Sequence, residues 1–135
     1  MAQPLVVSPY METAPVEVCG SQPWYLNVLI KSVYRGTAQK LLKQCQDIEN
    51  KLGRTDKGKR LPRTADIDIL LFGSVLSAQP HLTIPHPRML KRRFCLEGLY
   101  FLVPESIIPG TGKSVAMFYK SMNPSLKSQK FNLIG

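Results

Sequence analysis

The segment GTAQKLLKQCQDIENKLGR, residues 36–54, sets Leu41, Cys45, Ile48 and Leu52 at helical spacing, with Thr37 placed to cap its start and Gly53 to stop it. It is the longest helical pattern in the chain, and the apolar stretches around it are short, rich in β-branched residues and broken by proline. PLVVSPYMETAPVEV predicts a strand near Leu5 to Tyr10 and then an irregular loop, and QPWYLNVLIKSVY predicts a second strand from about Trp24 to Tyr34. TADIDILLFGSVL reads as a further strand with Gly73 at its turn, and QPHLTIPHPRMLKRRF as a mostly extended passage. FCLEGLYFLVPES predicts a short amphipathic helix that ends before Pro104; one more helix is expected around Ser114 to Ser121, and residues 122–135 form a polar tail. A helix interleaved with strands favours an α+β fold over a bundle or a sandwich.

A chain of 135 residues suits one domain, 1–135, with a real core. Its 44% hydrophobic and 20% charged content is that of a soluble globular protein, and no apolar run approaches the ~20 residues a membrane helix needs. The opening MAQPLVVSPYMET has no basic start, sustained apolar stretch or small-residue cleavage site, so the expected compartment is the cytoplasm. Cys19, Cys45 and Cys95 are widely spaced and form no C-x-x-C pattern, which argues for reduced thiols over disulfides or zinc. Eighteen Lys and Arg against nine Asp and Glu leave a net charge of +9, suited to a polyanionic partner. Arg54, Lys57, Lys59, Arg60 and Arg63 crowd one segment, and Arg88, Lys91, Arg92 and Arg93 a second, although a solvated basic face is the commoner meaning of such runs.

Between those clusters stands PRTADIDILLFG, residues 62–73. In a strand, alternation would put Asp66, Asp68 and Leu70 on one face and Ile67, Ile69 and Leu71 on the other. Two carboxylates side by side repel, and a cation removes the difficulty; Mg²⁺ favours hard oxygen ligands and is commonly held by one or two carboxylates plus substrate phosphates. The plainer alternative is that both aspartates pair with Arg63 or nearby lysines at a strand end. The flanking basic loops, with His86, Arg88, Arg92 and Arg93 downstream, favour metal and arginines acting together on a nucleoside triphosphate.

Those residues carry a family resemblance. The ordered series YMETAPV, QPWYLN, IE…LGR, a basic loop, PRTADIDILLFG, LTIPHPRMLKRRF and a closing L…L…P resembles the 6-hydroxymethyl-7,8-dihydropterin pyrophosphokinases of folate synthesis, from about Val6 to Pro104. The resemblance implies transfer of the terminal diphosphate of ATP to a reduced pterin, release of AMP, and two Mg²⁺ ions held by Asp66 and Asp68. It implies that Arg54 and Arg63 meet the triphosphate or a moving loop, that His86 and Arg92 contact phosphate, and that Gln46 and Glu49 lie near the nucleotide. For the pterin it implies Thr13 and Val16 through their backbone, Asn27 as reader of the ring edge, and Tyr25 and Phe94 as the aromatic sandwich. Arg88, Lys91 and Arg93 are left on the solvated basic surface.

The implied architecture is a ferredoxin-like αβ sandwich with a mostly antiparallel sheet. Family members begin with a strand and a helix before the stretch that VVSPYMETAP resembles, and the resemblance implies that both are missing here. The expected partners are ATP and 6-hydroxymethyl-7,8-dihydropterin, with no nucleic acid, no membrane, and a monomer unless a sheet edge pairs. A binding module that holds nucleotide or pterin without turnover is the alternative from another class.

Overall fold

The computed structural model of the chain describes residues 5–13, 25–53 and 66–134. They fall in two compact units, one within Met1–Val33 and Pro87–Gly135 and the other within Tyr34–His86. Both combine helix with antiparallel strands, so the fold is α+β.

In the first unit, strands β1 (Leu5–Val7) and β4 (Ile30–Ser32) pair antiparallel, as do β2 (Tyr10–Thr13) and β3 (Tyr25–Asn27). Where the sequence predicts two unbroken strands, each is interrupted, one at Ser8-Pro9 and the other at Val28-Leu29. Proline has no N–H to give a ladder. Ser8 takes over locally: its N–H donates to the Leu29 carbonyl at 2.8 Å, and its hydroxyl accepts from the Leu29 N–H at 2.9 Å. Ser8 is buried, and this pairing satisfies backbone groups that a broken ladder would strand.

The other edge of β2 is taken by β7 (Phe131–Ile134), antiparallel, with Thr13 opposite Phe131 and Met11 opposite Leu133. The tail expected to be merely polar therefore contains a short helix and a sheet strand. Helix α2 (Arg93–Leu102) buries Cys95, Leu96, Gly98 and Leu99, the one-sided spacing of an amphipathic helix. It ends where the Val103 N–H bonds the Leu99 carbonyl, just before Pro104. Helix α3 (Val115–Lys120) is capped by Ser114, which accepts from the Met117 N–H, and α4 (Pro124–Lys127) by Asn123, which accepts from the Leu126 N–H. Both caps follow the Ser/Asn preference, and Pro124 stands in the first helical turn, where its missing N–H costs nothing.

In the second unit, helix α1 (Ala38–Gly53) starts as its sequence predicts, the Thr37 hydroxyl accepting from the Lys40 N–H at 3.1 Å. The inward face differs from the expected stripe. Ala38 and Cys45 are buried, Leu42 packs on the core, and Ile48 and Leu52 are exposed. Positions 38, 42, 45 and 49 are a neighbouring stripe of the same period, and periodicity alone does not decide between adjacent stripes. The core joins Ala38 to Leu82 and Ile84, with Leu42, Ile69 and Phe72 against them. Leu82 and Ile84 come from a hairpin, β5 (Ser77–Gln79) with β6 (Leu82–Ile84), where the sequence predicts only extended chain.

The segment 66–72 lies outside any strand ladder, contrary to the strand expected there. A strand is a property of a pair, and this segment is held by single bonds instead. The His86 N–H donates to the Leu70 carbonyl at 2.9 Å, and the turn that follows closes through the Val75 N–H on the Phe72 carbonyl at 3.0 Å. That turn uses Gly73 at φ +55°, a left-handed conformation in which a side chain would be strained.

Candidate active site

In the second unit, Asp66 and Asp68 are exposed while Ile67 and Ile69 are partly buried. The expected alternation therefore holds over residues 66–69 even without a ladder, and it stops at Leu70, which is partly buried instead of sharing the exposed side of the aspartates. Both apolar neighbours anchor the backbone, and the two carboxylates stand on the solvent side. The peptide between them is fixed from α1: the Ile67 N–H donates to Glu49 Oε2 at 2.6 Å. A charged acceptor makes this one of the stronger bonds available to a backbone amide. Glu49 sits at the end of the inward stripe of α1, so the helix positions the segment through it.

His86 completes the group. Its Nε2 lies 4.0 Å from Asp68 Oδ2, and its side chain is 19% exposed against 51% for Asp68. With its own N–H on Leu70, the residue is tied to the aspartate segment at both backbone and ring. The contact is an ion pair whenever the imidazole is protonated. Gln46 is on the exposed side of α1. The buried thiol of Cys45 has its pKa raised, by burial first and then by the nearby Glu49 charge, which keeps it a thiol.

In the first unit, Asn27 donates from Nδ2 to the Thr13 hydroxyl at 2.7 Å. The bond crosses the β2–β3 pair, in which Thr13 stands opposite Tyr25 and Met11 opposite Asn27. It fixes the rotamer of a side-chain amide that has a further acceptor and donor to offer a ligand. Tyr25 is exposed. Arg92 and Phe94 flank the start of α2, the Arg92 guanidinium lying 5.9 Å from the centre of the Phe94 ring. Arg54, Arg63 and Val16 lie outside the described residues.

The structure moves one arginine out of its expected role. Arg93 is no solvated surface cation: its Nε donates to Glu97 Oε2 at 3.2 Å, one guanidinium nitrogen donates to the carbonyls of Lys127 at 2.8 Å and Gln129 at 3.3 Å, and the group lies 4.3 Å from the Phe131 ring centre. Glu97 also accepts from the Tyr119 hydroxyl at 3.1 Å. Only the Arg93–Glu97 spacing of four was legible in the sequence; the remaining partners are more than twenty residues away.

Among the described residues, no group of three or more His, Cys, Asp and Glu side chains converges as a protein-only metal cage. The aspartate pair is instead an open, all-oxygen donor set, the kind Mg²⁺ takes when waters and phosphates complete its shell. The donor chemistry fits that ion.

The family model for 7,8-dihydro-6-hydroxymethylpterin-pyrophosphokinase (HPPK) matches residues 2–104. The chain is 42% identical over 93 residues to the 2-amino-4-hydroxy-6-hydroxymethyldihydropteridine pyrophosphokinase of Bacillus subtilis, covering 69% of this chain and 55% of that one. It is 33% identical over 102 residues to the enzyme of the same name from Synechocystis, covering 76% and 52%. To the folic acid synthesis protein fol1 of Schizosaccharomyces pombe it is 37% identical over 107 residues, 79% of this chain and 14% of that protein. The chain belongs to the 7,8-dihydro-6-hydroxymethylpterin-pyrophosphokinase family. It spans about half the length of these bacterial relatives.

Proposed function

We propose that the chain transfers the terminal diphosphate of ATP to the hydroxymethyl group of 6-hydroxymethyl-7,8-dihydropterin, giving AMP and the pterin diphosphate in folate biosynthesis. The observation that carries this reading is the Asp66–Asp68 pair, both carboxylates exposed on one extended segment, with the peptide between them held by Glu49 and His86 beside Asp68. Family membership supports it, since the matched relatives are named pyrophosphokinases.

Asp66 and Asp68 would hold two Mg²⁺ ions, which when bound neutralise charge on the phosphate under attack. Arg54, Arg63, Arg92 and His86 orient the triphosphate, the arginines as planar multi-donor contacts. Gln46 lies toward the nucleotide; Glu49 does so too, and acts through the Ile67 amide as well. Thr13, Val16 and Asn27 read the polar edge of the pterin, and Tyr25 and Phe94 stack on its faces. No covalent enzyme intermediate is required: catalysis comes from positioning and electrostatic stabilisation.

The fold in this reading is a single pyrophosphokinase-like domain over 1–135, a ferredoxin-like sandwich. It works in the cytoplasm, as a monomer unless a sheet edge pairs, and binds no nucleic acid. Among the described residues no helix is long and apolar enough to cross a membrane.

The test is AMP release with ATP, Mg²⁺ and the reduced pterin, for the parent and for Asp68→Asn. Loss of one carboxylate charge is expected to lower kcat by about 100-fold or more, with a melting temperature close to the parent's. Equal turnover by both proteins removes the metal assignment. Mg²⁺-dependent binding of a non-hydrolysable ATP analogue without any AMP formation by the parent would replace the enzyme with the binding module.

A further inference from the structure

Helix α2 begins at Arg93 without a cap of its own, since Arg92 makes no side-chain cap bond. The first N–H groups of a helix need acceptors, and here one comes from far along the chain. The Arg93 N–H donates to Gln129 Oε1 at 2.9 Å, and Gln129 Nε2 donates to the Lys91 carbonyl at 2.9 Å. One side-chain amide thus brackets Arg92, holding the backbone on both sides of it. The neighbouring Arg93 side chain returns the grip, donating to the carbonyls of Lys127 and Gln129 and lying over the Phe131 ring. Past this point the chain enters β7, where Phe131 stands opposite Thr13, and Thr13 accepts from Asn27.

Residues 127–131 therefore connect two groups that lie 65 to 81 positions apart in the sequence, Arg92 with Phe94 and Thr13 with Asn27. The family match stops at residue 104, so residues 127–131 lie outside it on the C-terminal side while Lys91 and Arg93, which they hold, lie inside it. We propose that Gln129 and Phe131, through Arg93, are positioning residues for the diphosphate transfer: they fix Arg92 and Phe94 for ATP and pterin, and they tie that turn to Thr13 and Asn27. This rests on the activity proposed above. An arginine left to sample many rotamers on a fraying helix start loses binding energy to ordering, and a clamp from outside the turn removes that cost before substrate arrives.

The experiment uses the full chain and steady-state kinetics for both substrates, alongside thermal melting. Gln129→Ala and Phe131→Ala are each expected to raise KM for the pterin and for Mg-ATP by about five- to ten-fold, the value of roughly one hydrogen bond for the first and one cation–π contact for the second, while kcat stays within about two-fold. Phe131→Tyr keeps the ring beneath Arg93 and is expected to restore both KM values. Gln129→Glu keeps the acceptor for the Arg93 N–H and gives up the donor to Lys91, so it is expected to fall between parent and alanine variant, and it carries the test should the alanine variant not fold. Variants that melt earlier but retain the parent's KM for both substrates overturn the proposal and leave the activity standing. A parent that neither turns over nor binds the pterin overturns the activity, and this inference with it.

Discussion

Tyr119 stacks on Tyr100 with ring centres 4.0 Å apart and an 8° tilt, and its hydroxyl donates to Glu97. Burial first, then the Glu97 charge and that hydrogen bond, push the phenol up from its ordinary pKa; Tyr100 adds to this, and Arg93 opposes it. A phenol that holds its proton more tightly when folded contributes stability that is fully present below the unfolded value of about 10, and is lost as pH rises through the folded one. Tyr119→Phe should accordingly show a shallower loss of stability than the parent above about pH 10, read from urea midpoints across the alkaline range. Superimposable alkaline limbs would remove Tyr119 from that role. The Tyr119–Glu97–Arg93 chain also shows which residue roles a sequence reveals. Thr37 was recognisable as a cap because its partner is three residues away. Arg93 looked like one basic residue among four, because its acceptors at Lys127 and Gln129 come near only after the tail has folded back.

Helix α2 approaches the β3–β4 connection so closely at Gly98 that any side chain there would have to displace Leu29. An added Cβ there would lie 2.8 Å from Leu29 Cδ1, 2.9 Å from Cδ2 and 3.1 Å from Cγ. Leu29 is buried and its backbone is locked to Ser8, so its branched end has no solvent to turn into. Alanine would gain about 1 kcal/mol in helix propensity and lose about 1–3 kcal/mol to overpacking. With both methyls crowded at once the loss prevails, and Gly98→Ala is expected to lower the melting temperature by about 3–8 °C. An unchanged or higher value would show that Leu29 repacks without cost. Elements were legible where the pattern was long: α1 and α2 fall where periodicity puts them. DIDILLF has the alternation of a strand, but its ladder depends on a partner that no local pattern supplies. FNLI is four residues at the end of a polar stretch, and it becomes β7 only because β2 offers an edge.

Taken whole, the chain carries a net charge of +9, and the proposed reaction pairs a highly anionic substrate with an uncharged one. Sequence composition already pointed to a polyanion, and it could say no more, since charge counts do not distinguish a nucleotide from a nucleic acid. The proposed function takes the nucleotide, and the charge then makes a separate prediction about the two substrates. Surplus cations raise the local concentration of Mg-ATP and strengthen its contacts, and added salt screens both effects as the Debye length shrinks from about 10 Å at 0.1 M toward about 3 Å at 1 M. Raising KCl from about 0.05 M to about 0.5 M is expected to raise KM for Mg-ATP several-fold while leaving KM for the pterin within about two-fold, because stacking and amide contacts carry no net charge. A parallel rise for both substrates would mean that salt acts on the protein as a whole. A flat KM for Mg-ATP would mean that the surplus charge lies where ATP never feels it, and the basic residues at 54–63 and at Arg88, Lys91 and Arg92 would return to being a solvated face.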